Sequence, residues 1–334
     1  MEVLKNLPEE VVVSSVDDMS LTLTKQEALA YYKAANELYD MYVNAAEYVI
    51  DKDLFFDLGI PFNLIEAIKK SWENDVHWHI YGAFIFGGGR NNEPIKLLGF
   101  DADTPEKLLQ TSQKQLHKSA FNEIYEMVRE NFKRVITLDD GVEFFDKRYD
   151  GWKILFSAPD DDEEKENTSL FLEQLAQEAG FETSFSYLGE VIFSDEGISD
   201  SEGTIYEYWC KNYSWLDIAT NESELATLLT NIMQKQQAII INPAYTLLFE
   251  SRGMLAILKK LYPNSPYLLN TSFETFDGSI ERTVFGENEA FSNFKKVYQE
   301  LYETPYNARV FFAYEACGLS FFSAKNNFIK HEII

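Results

Sequence analysis

Basic residues are scarce in this 334-residue chain, with 29 Lys and Arg against 55 Asp and Glu and a formal net charge of −26. A surface so acidic repels phosphate backbones and anionic headgroups, which argues against nucleic acid and anionic membranes as partners. Cysteine is nearly absent too. Cys210 and Cys317 stand far apart without CxxC spacing, so a disulfide framework is excluded and packed, reduced thiols are expected. No apolar run is long enough to cross a bilayer. Met1-Glu2-Val3-Leu4-Lys5 lacks the charged and apolar regions of a secretory signal. A soluble, cytoplasmic protein with no membrane insertion is the expectation. Repeats, low-complexity tracts and Pro-rich linkers are missing as well, so no clean domain boundary is marked.

Aromatic residues are abundant, with 26 Phe, 19 Tyr and 5 Trp, and they supply enough apolar surface to exclude a disordered chain. The acid is concentrated. Between Asp160 and Glu207 there are 15 Asp or Glu residues and one base, Lys165, which reads as a solvated acidic surface or a docking face for a basic partner. Thr24 and Glu27 fit a capping box that opens a helix running to about Ile50. A short helix ends near Trp72. Strand-like runs at Ile80–Phe86 and Pro94–Phe100 flank Gly87-Gly88-Gly89-Arg90, a hairpin with a glycine-rich turn. Asp103-Thr104-Pro105 is expected to open a helix to about Arg134, with Thr104 as its cap. Further on, Trp152–Ser157 reads as a strand and Asp160–Glu166 as an acidic loop. Thr168 then caps a helix to Ala179, Asn221 and Glu224 cap another, and Arg252–Tyr262 forms a third. The alternation implies α/β architecture.

Several blocks in order resemble the synthetase domain of the glutathionylspermidine synthase family, ATP-grasp-like amide ligases. They are Ser71-Trp72, Ile80-Tyr81-Gly82, Lys96-Leu97-Leu98-Gly99-Phe100-Asp101-Ala102-Asp103-Thr104-Pro105, Thr168–Gly180, Ile240–Leu269, and the ending from Gly318-Leu319 to Ile334. The resemblance implies an ATP-grasp-like α/β fold with a shortened C-terminal nucleotide-binding part. It suggests an N-terminal helical lobe with the hairpin (1–150), a central α/β lobe with the acidic segment (151–238) and a reduced ATP-grasp-like lobe (239–334). It also implies a chemistry in which ATP activates a carboxylate that an amine such as spermidine attacks, with Mg²⁺ offsetting phosphate charge.

The groups that would carry this chemistry are largely replaced. The family's hairpin places Arg and Asp two apart on one strand and Glu and Asn two apart on the next, so all four share one face. Here those positions hold Ala83, Ile85, Gly99 and Asp101, leaving Asp101 as the one candidate metal ligand. Arg282 falls where the family has a phosphate-contacting Lys, and Gly286 falls in its glycine-rich loop, followed by Glu287 and Glu289 where Arg and Gly belong. Thr246 replaces a Lys and Phe322 an Arg. Phe291, Phe294, Tyr298 and Leu301 read as an amphipathic helix downstream.

Other features invite chemistry and read more simply. Gly87-Gly88-Gly89-Arg90 lacks the GxxxxGK[ST] spacing and sits between strands. His77 and His79 share a strand face without a recognisable third ligand. Cys317 with His331 resembles a nucleophile and base only in composition, and nothing in the spacing of Lys325 places it in a cleft. The expectation is a binding or regulatory protein without cofactor, its partner a basic protein or cationic small molecule met through the acidic segment. The alternatives are an ATP- and Mg²⁺-dependent carboxylate–amine ligase with a rearranged site, and a structural subunit using terminal helices.

Overall fold

The computed structural model describes residues 16–74, 79–112, 121–139, 153–286 and 295–334. Along the chain run β1 (Val16–Leu23), α1 (Lys25–Asp51), α2 (Ile65–Asn74), β2 (Gly82–Gly87), β3 (Lys96–Asp101), α3 (Leu108–Ser112) and α4 (Ile124–Asp139). Then come β4 (Lys153–Ala158), α5 (Glu163–Ala179), β5 (Glu182–Tyr187), β6 (Ile192–Ser194), β7 (Gly197–Ser199), β8 (Ile205–Tyr206), β9 (Tyr208–Lys211), α6 (Trp215–Asn221) and α7 (Ser223–Gln234). The last are β10 (Ile239–Ile241), α8 (Thr246–Glu250), α9 (Arg252–Leu261), β11 (Thr271–Ser272), β12 (Ser279–Thr283), β13 (Lys296–Glu300), β14 (Tyr306–Ala313), β15 (Glu315–Ser323) and β16 (Phe328–Ile333). They pack as two units, neither continuous in sequence. One draws on Pro61–Tyr81 and Tyr125–Thr246, the other on described residues up to Ile60, Gly82–Ile124 and Leu247–Ile334. Boundaries drawn at 150 and 238 follow chain order, whereas packing follows strand pairing.

The second unit holds a six-stranded sheet in the order β1-β16-β15-β14-β2-β3. The hairpin expected from sequence is therefore present, and β2 pairs with β14, more than 200 positions away. α1 begins where the capping box predicts: the Thr24 hydroxyl accepts from Glu27 N at 3.2 Å while the Glu27 carboxylate accepts from Thr24 N at 2.8 Å. Its apolar stripe, including Tyr31, Leu38, Tyr39 and Tyr42, is buried. The partner rings come from alternate strand positions: Phe84 stacks on Phe100 at 3.9 Å, Tyr39 on Phe312 at 4.2 Å, and Tyr42 meets Phe100 edge-on at 5.2 Å. Such contacts add to the large area each ring buries.

The glycine-rich turn is a packing device. Gly88 and Gly89 have φ of +71° and +88°, a region that favours glycine. A Cβ on Gly88 would meet the Pro94 carbonyl oxygen at 2.3 Å, and one on Gly89 would meet the Tyr31 ring at 2.5 Å. The Tyr31 and Tyr306 hydroxyls donate to the Gly88 carbonyl oxygen, so the turn's polar group is spent on tyrosines.

Three expectations in this unit fail. The helix expected from Pro105 begins at Leu108, because Lys107 turns at φ +67°. It does not run on to Arg134: Asn122 bridges Gly318, and Glu123 N donates to the Cys317 carbonyl oxygen at 2.7 Å. Tyr298 lies in β13, paired with β11 and β12, so cross-strand pairing overrides the helical periodicity read there; Phe291 and Phe294 lie outside the described residues. Among the described residues the C-terminal stretch forms the antiparallel strands β14, β15 and β16, so it offers no C-terminal helix to the structural-subunit reading.

The first unit is built on a four-stranded parallel sheet, β10-β9-β4-β5, with a small antiparallel sheet, β6-β7-β8. α5 starts earlier than Thr168. Asp162 caps it, accepting from Lys165 N at 3.0 Å, and Glu163, Glu164 and Glu166 fill its first turn. Carboxylates at a helix N-terminus face its positive end, so the acids read as a loop instead begin the helix. Gly180, at φ +115°, ends it. Asn221 closes α6, which Ser214 caps, and α7 starts without a side-chain cap. The expected Asn221 cap is therefore absent because a helix already occupies that residue.

Candidate functional site

Strand alternation divides the hairpin's residues between two environments. Phe84, Phe86 and Phe100 turn toward α1 and are buried. Ala83 and Ile85 share the other face with Asp101 and Gly99, their register partners across the pair. β14 continues both rows, setting Phe311 beside Ala83 and Arg309 beside Ile85. The residues the resemblance singles out thus do lie together on one sheet face, and a guanidinium lies in the same row.

Arg309 organises that face. Its Nη1 lies 3.7 Å from Asp101 Oδ2 and its Nη2 lies 3.8 Å from Glu106 Oε2. Nη1 also donates to the Glu106 carbonyl oxygen at 3.3 Å, and the guanidinium sits 5.4 Å over the Phe322 ring. Asn326 Nδ2 donates to Glu106 Oε2 at 3.4 Å. Little solvent reaches the pair: 11% of the Arg309 side chain and 24% of the Asp101 side chain are exposed. Burial pushes the Asp101 carboxyl up to about 6, while the Arg309 charge opposes that rise. Glu106 and Asp103 add to it by like-charge repulsion. Asp103 is itself fully buried, with its backbone N–H donated to Glu250 Oε1 at 2.9 Å. Beside the charges, the floor is bare: a Cβ on Gly99 would meet nothing within 4 Å.

Arg282 belongs to a different sheet, β11-β13-β12, and Gly286 lies in the turn after it. Arg282 is exposed on β12, paired with Val297. Gly286 follows with its carbonyl oxygen accepting from the Thr283 hydroxyl and, at 3.4 Å, from Arg252 Nη1. Arg252 also donates to the Thr283 carbonyl oxygen at 3.1 Å, so the first residue of α9 ties down the start of this loop. Glu287 and Glu289 lie outside the described residues.

The other tempting residues are packed. Cys317 is buried, its thiol donating to the Phe311 carbonyl oxygen at 3.5 Å, and burial raises its pKa far above the ordinary thiol range. His331 lies on β16 between the rings of Phe321 and Phe328, and burial lowers its pKa to about 4. His79 is buried and lowered to about 3; His77 lies outside the described residues. Thr246 spends its hydroxyl on the Pro243 carbonyl oxygen at 2.7 Å, and Lys325 is exposed in the β15–β16 turn. Among the described residues, no group of three or more His, Cys, Asp or Glu is placed to hold a metal ion. Among them, too, no helix is long and apolar enough to cross a membrane.

The model of the glutathionylspermidine synthase pre-ATP-grasp family matches residues 9–290. The chain belongs to this family. It is 24% identical to the bifunctional glutathionylspermidine synthetase/amidase of Escherichia coli K12 over 293 residues, which covers 78% of this chain and 44% of that protein. It is 25% identical over 275 residues to a putative acid–amine ligase of Haemophilus influenzae, covering 78% and 65%. The chain therefore spans less than half the length of the bifunctional relative. Among solved structures it is similar to a glutathione synthetase-like effector, GSS30 of Globodera pallida, in its apo form. The TM-score is 0.58 at 9% identity, with 94% of this chain and 89% of that one covered, a likeness of fold. The architecture is mixed α/β and ATP-grasp-like.

Within this glutathionylspermidine synthase-like framework, the described hairpin face offers one carboxylate, Asp101, between Ala83, Ile85 and Gly99, so a Mg²⁺ there would draw most of its oxygen ligands from a nucleotide's phosphates and water. That carboxylate is already balanced by a fixed guanidinium. Reading the sequence alone misses Arg309, Glu106 and Arg252. For Arg309 the signal is visible afterwards: it is the one charge in the run Tyr306–Ala313, a strand otherwise made of Tyr, Asn, Ala, Val and Phe.

Proposed function

We propose that this glutathionylspermidine synthase-like chain has lost metal-assisted ligase chemistry and acts as a binding or regulatory protein. One observation carries the reading. On the face where the family resemblance calls for four polar groups, Asp101 alone remains, and Arg309 has taken the position of its counter-charge. Arg309 supplies a permanent cation on that face, as the family's own Arg would, while the set of groups that would hold an exchangeable metal ion is reduced to Asp101. No cofactor enters this reading. Its partner is cationic, met through the acidic stretch from Asp160 to Glu207. A reducing, cytoplasmic setting suits Cys210 and Cys317, both buried as free thiols.

The test is thermal unfolding with Mg·ATP, with spermidine, and with neither. A ligand that binds the folded state raises Tm by mass action, and the reading expects no Mg-dependent rise with ATP. A clear rise, followed by ADP release when a carboxylate and an amine are added, would establish the rearranged ligase instead.

A further inference from the structure

The small sheet β6-β7-β8 presents an apolar pair that its own packing does not use. Ile192 pairs with Ser199, and Ser199 pairs with Ile205, so the three side chains form one row on one face. The neighbouring row, Phe193, Ile198 and Tyr206, turns the other way. Ile198 is fully buried, and the Phe193 ring meets Trp209 at 4.8 Å. Ile192 and Ile205 each remain 48% exposed. Two strand spacings separate them by roughly 10 Å.

This face is rigid and acidic at its edges. The turn between β7 and β8 is locked by Asp200, which accepts from Glu202 N at 3.0 Å, Thr204 N at 2.9 Å and the Tyr206 hydroxyl at 2.8 Å. The turn between β6 and β7 is tied to the end of α7, with Asp195 meeting Lys235 at 2.9 Å. Pre-organisation of this kind lowers the entropy lost on binding. Exposed carboxylates flank the apolar row in sequence on every side: Glu190 before β6, Asp195 and Glu196 in the first turn, Glu202 in the second.

We infer that this face docks a lysine- and arginine-rich amphipathic helix of a partner protein. Charge complementarity selects the partner. A neutral or acidic one would bring uncompensated or like charge to the rim, whereas Lys and Arg lay aliphatic stems on the isoleucines and leave their cations at the carboxylates. The spacing selects the helix, since residues seven apart on one helical face are roughly 10.5 Å apart. The inference deepens the partner reading above, and its test involves no nucleotide, so the two can fail separately.

The experiment measures binding of a fluorescent 18-residue Leu/Lys peptide, with leucines seven apart, to the full chain by anisotropy in 150 mM salt. Controls are a scrambled Leu/Lys peptide and a Leu/Glu peptide. I192S/I205S should bind the first peptide about tenfold more weakly than the native chain, with its Tm unchanged. E190Q/E196Q/E202Q should weaken binding and flatten its salt dependence. Equal binding of the ordered and scrambled peptides, or no change in I192S/I205S, would reduce the effect to bulk charge and overturn the inference. So would self-association of the native chain in sedimentation that I192S/I205S abolishes, because the occupant would then be a second copy.

Discussion

The two faces of the six-stranded sheet are made by alternate residues of the same strands. One face, Phe84, Phe86, Phe100 and Phe312 against α1, is a continuous stack of rings. The other holds Ala83, Ile85, Gly99 and Asp101, with Arg309 beside them. Both are written two residues apart on β2 and β3, so neither can drift independently through strand register. On the reading proposed above, the aromatic face is framework, while the other face holds a reduced form of the polar set that the family resemblance implies. Packing and chemistry therefore separate cleanly even within one hairpin.

Substitutions should report that separation in order of size. Phe84→Ala removes a fully buried ring from the stack and should cost about 3–5 kcal/mol in urea unfolding; a loss below about 1 kcal/mol would deny the aromatic face its framework role. Arg309→Met should cost about 2 kcal/mol at pH 7.5, since it leaves Asp101 and Glu106 facing each other without their cation. Its pH dependence has a definite sign. Asp101 is raised by burial to about 6, so the folded chain holds its proton more tightly than the unfolded chain, and stability falls as pH rises from about 4 to 6. Losing Arg309 should extend that fall to higher pH, making the variant closest to native near pH 5. An identical loss at both pH values would show that the guanidinium merely fills space.

His331 gives the opposite slope. Its folded pKa is lowered to about 4, so the unfolded chain takes up the proton first, and stability is lost as pH falls from about 6.5 toward 4. His331→Phe should recover roughly 1–2 kcal/mol at pH 4.5 and little at pH 7.5. Gly99→Ala should be the mildest change, within about 0.5 kcal/mol, because a Cβ there meets nothing within 4 Å. A larger loss would mean that the bare floor is part of the packing.

Local signals were strong wherever one short segment carries the whole interaction. The Thr24–Glu27 box, the hairpin and the framework blocks of the family all read directly from sequence. What escaped depends on distant pairing. Arg309 becomes meaningful only once β14 lies against β2, and the glycines of 87–89 only once Tyr31 and Tyr302 reach their backbone. The helix read through 105–134 is broken by contacts of Asn122 and Glu123 with β15, which local propensity does not contain. The acids at 162–166 read as loop by their charge alone, whereas in the fold they cap and open α5, facing its positive end.

The central claim is that a fixed guanidinium, and no divalent ion, balances Asp101. Titrating Mn²⁺ with ATP into the native chain and Asp101→Asn, with bound metal read by electron paramagnetic resonance, tests it most directly. The account predicts weak binding that is the same in both proteins. Tight, ATP-dependent Mn²⁺ binding that disappears in Asp101→Asn would contradict it.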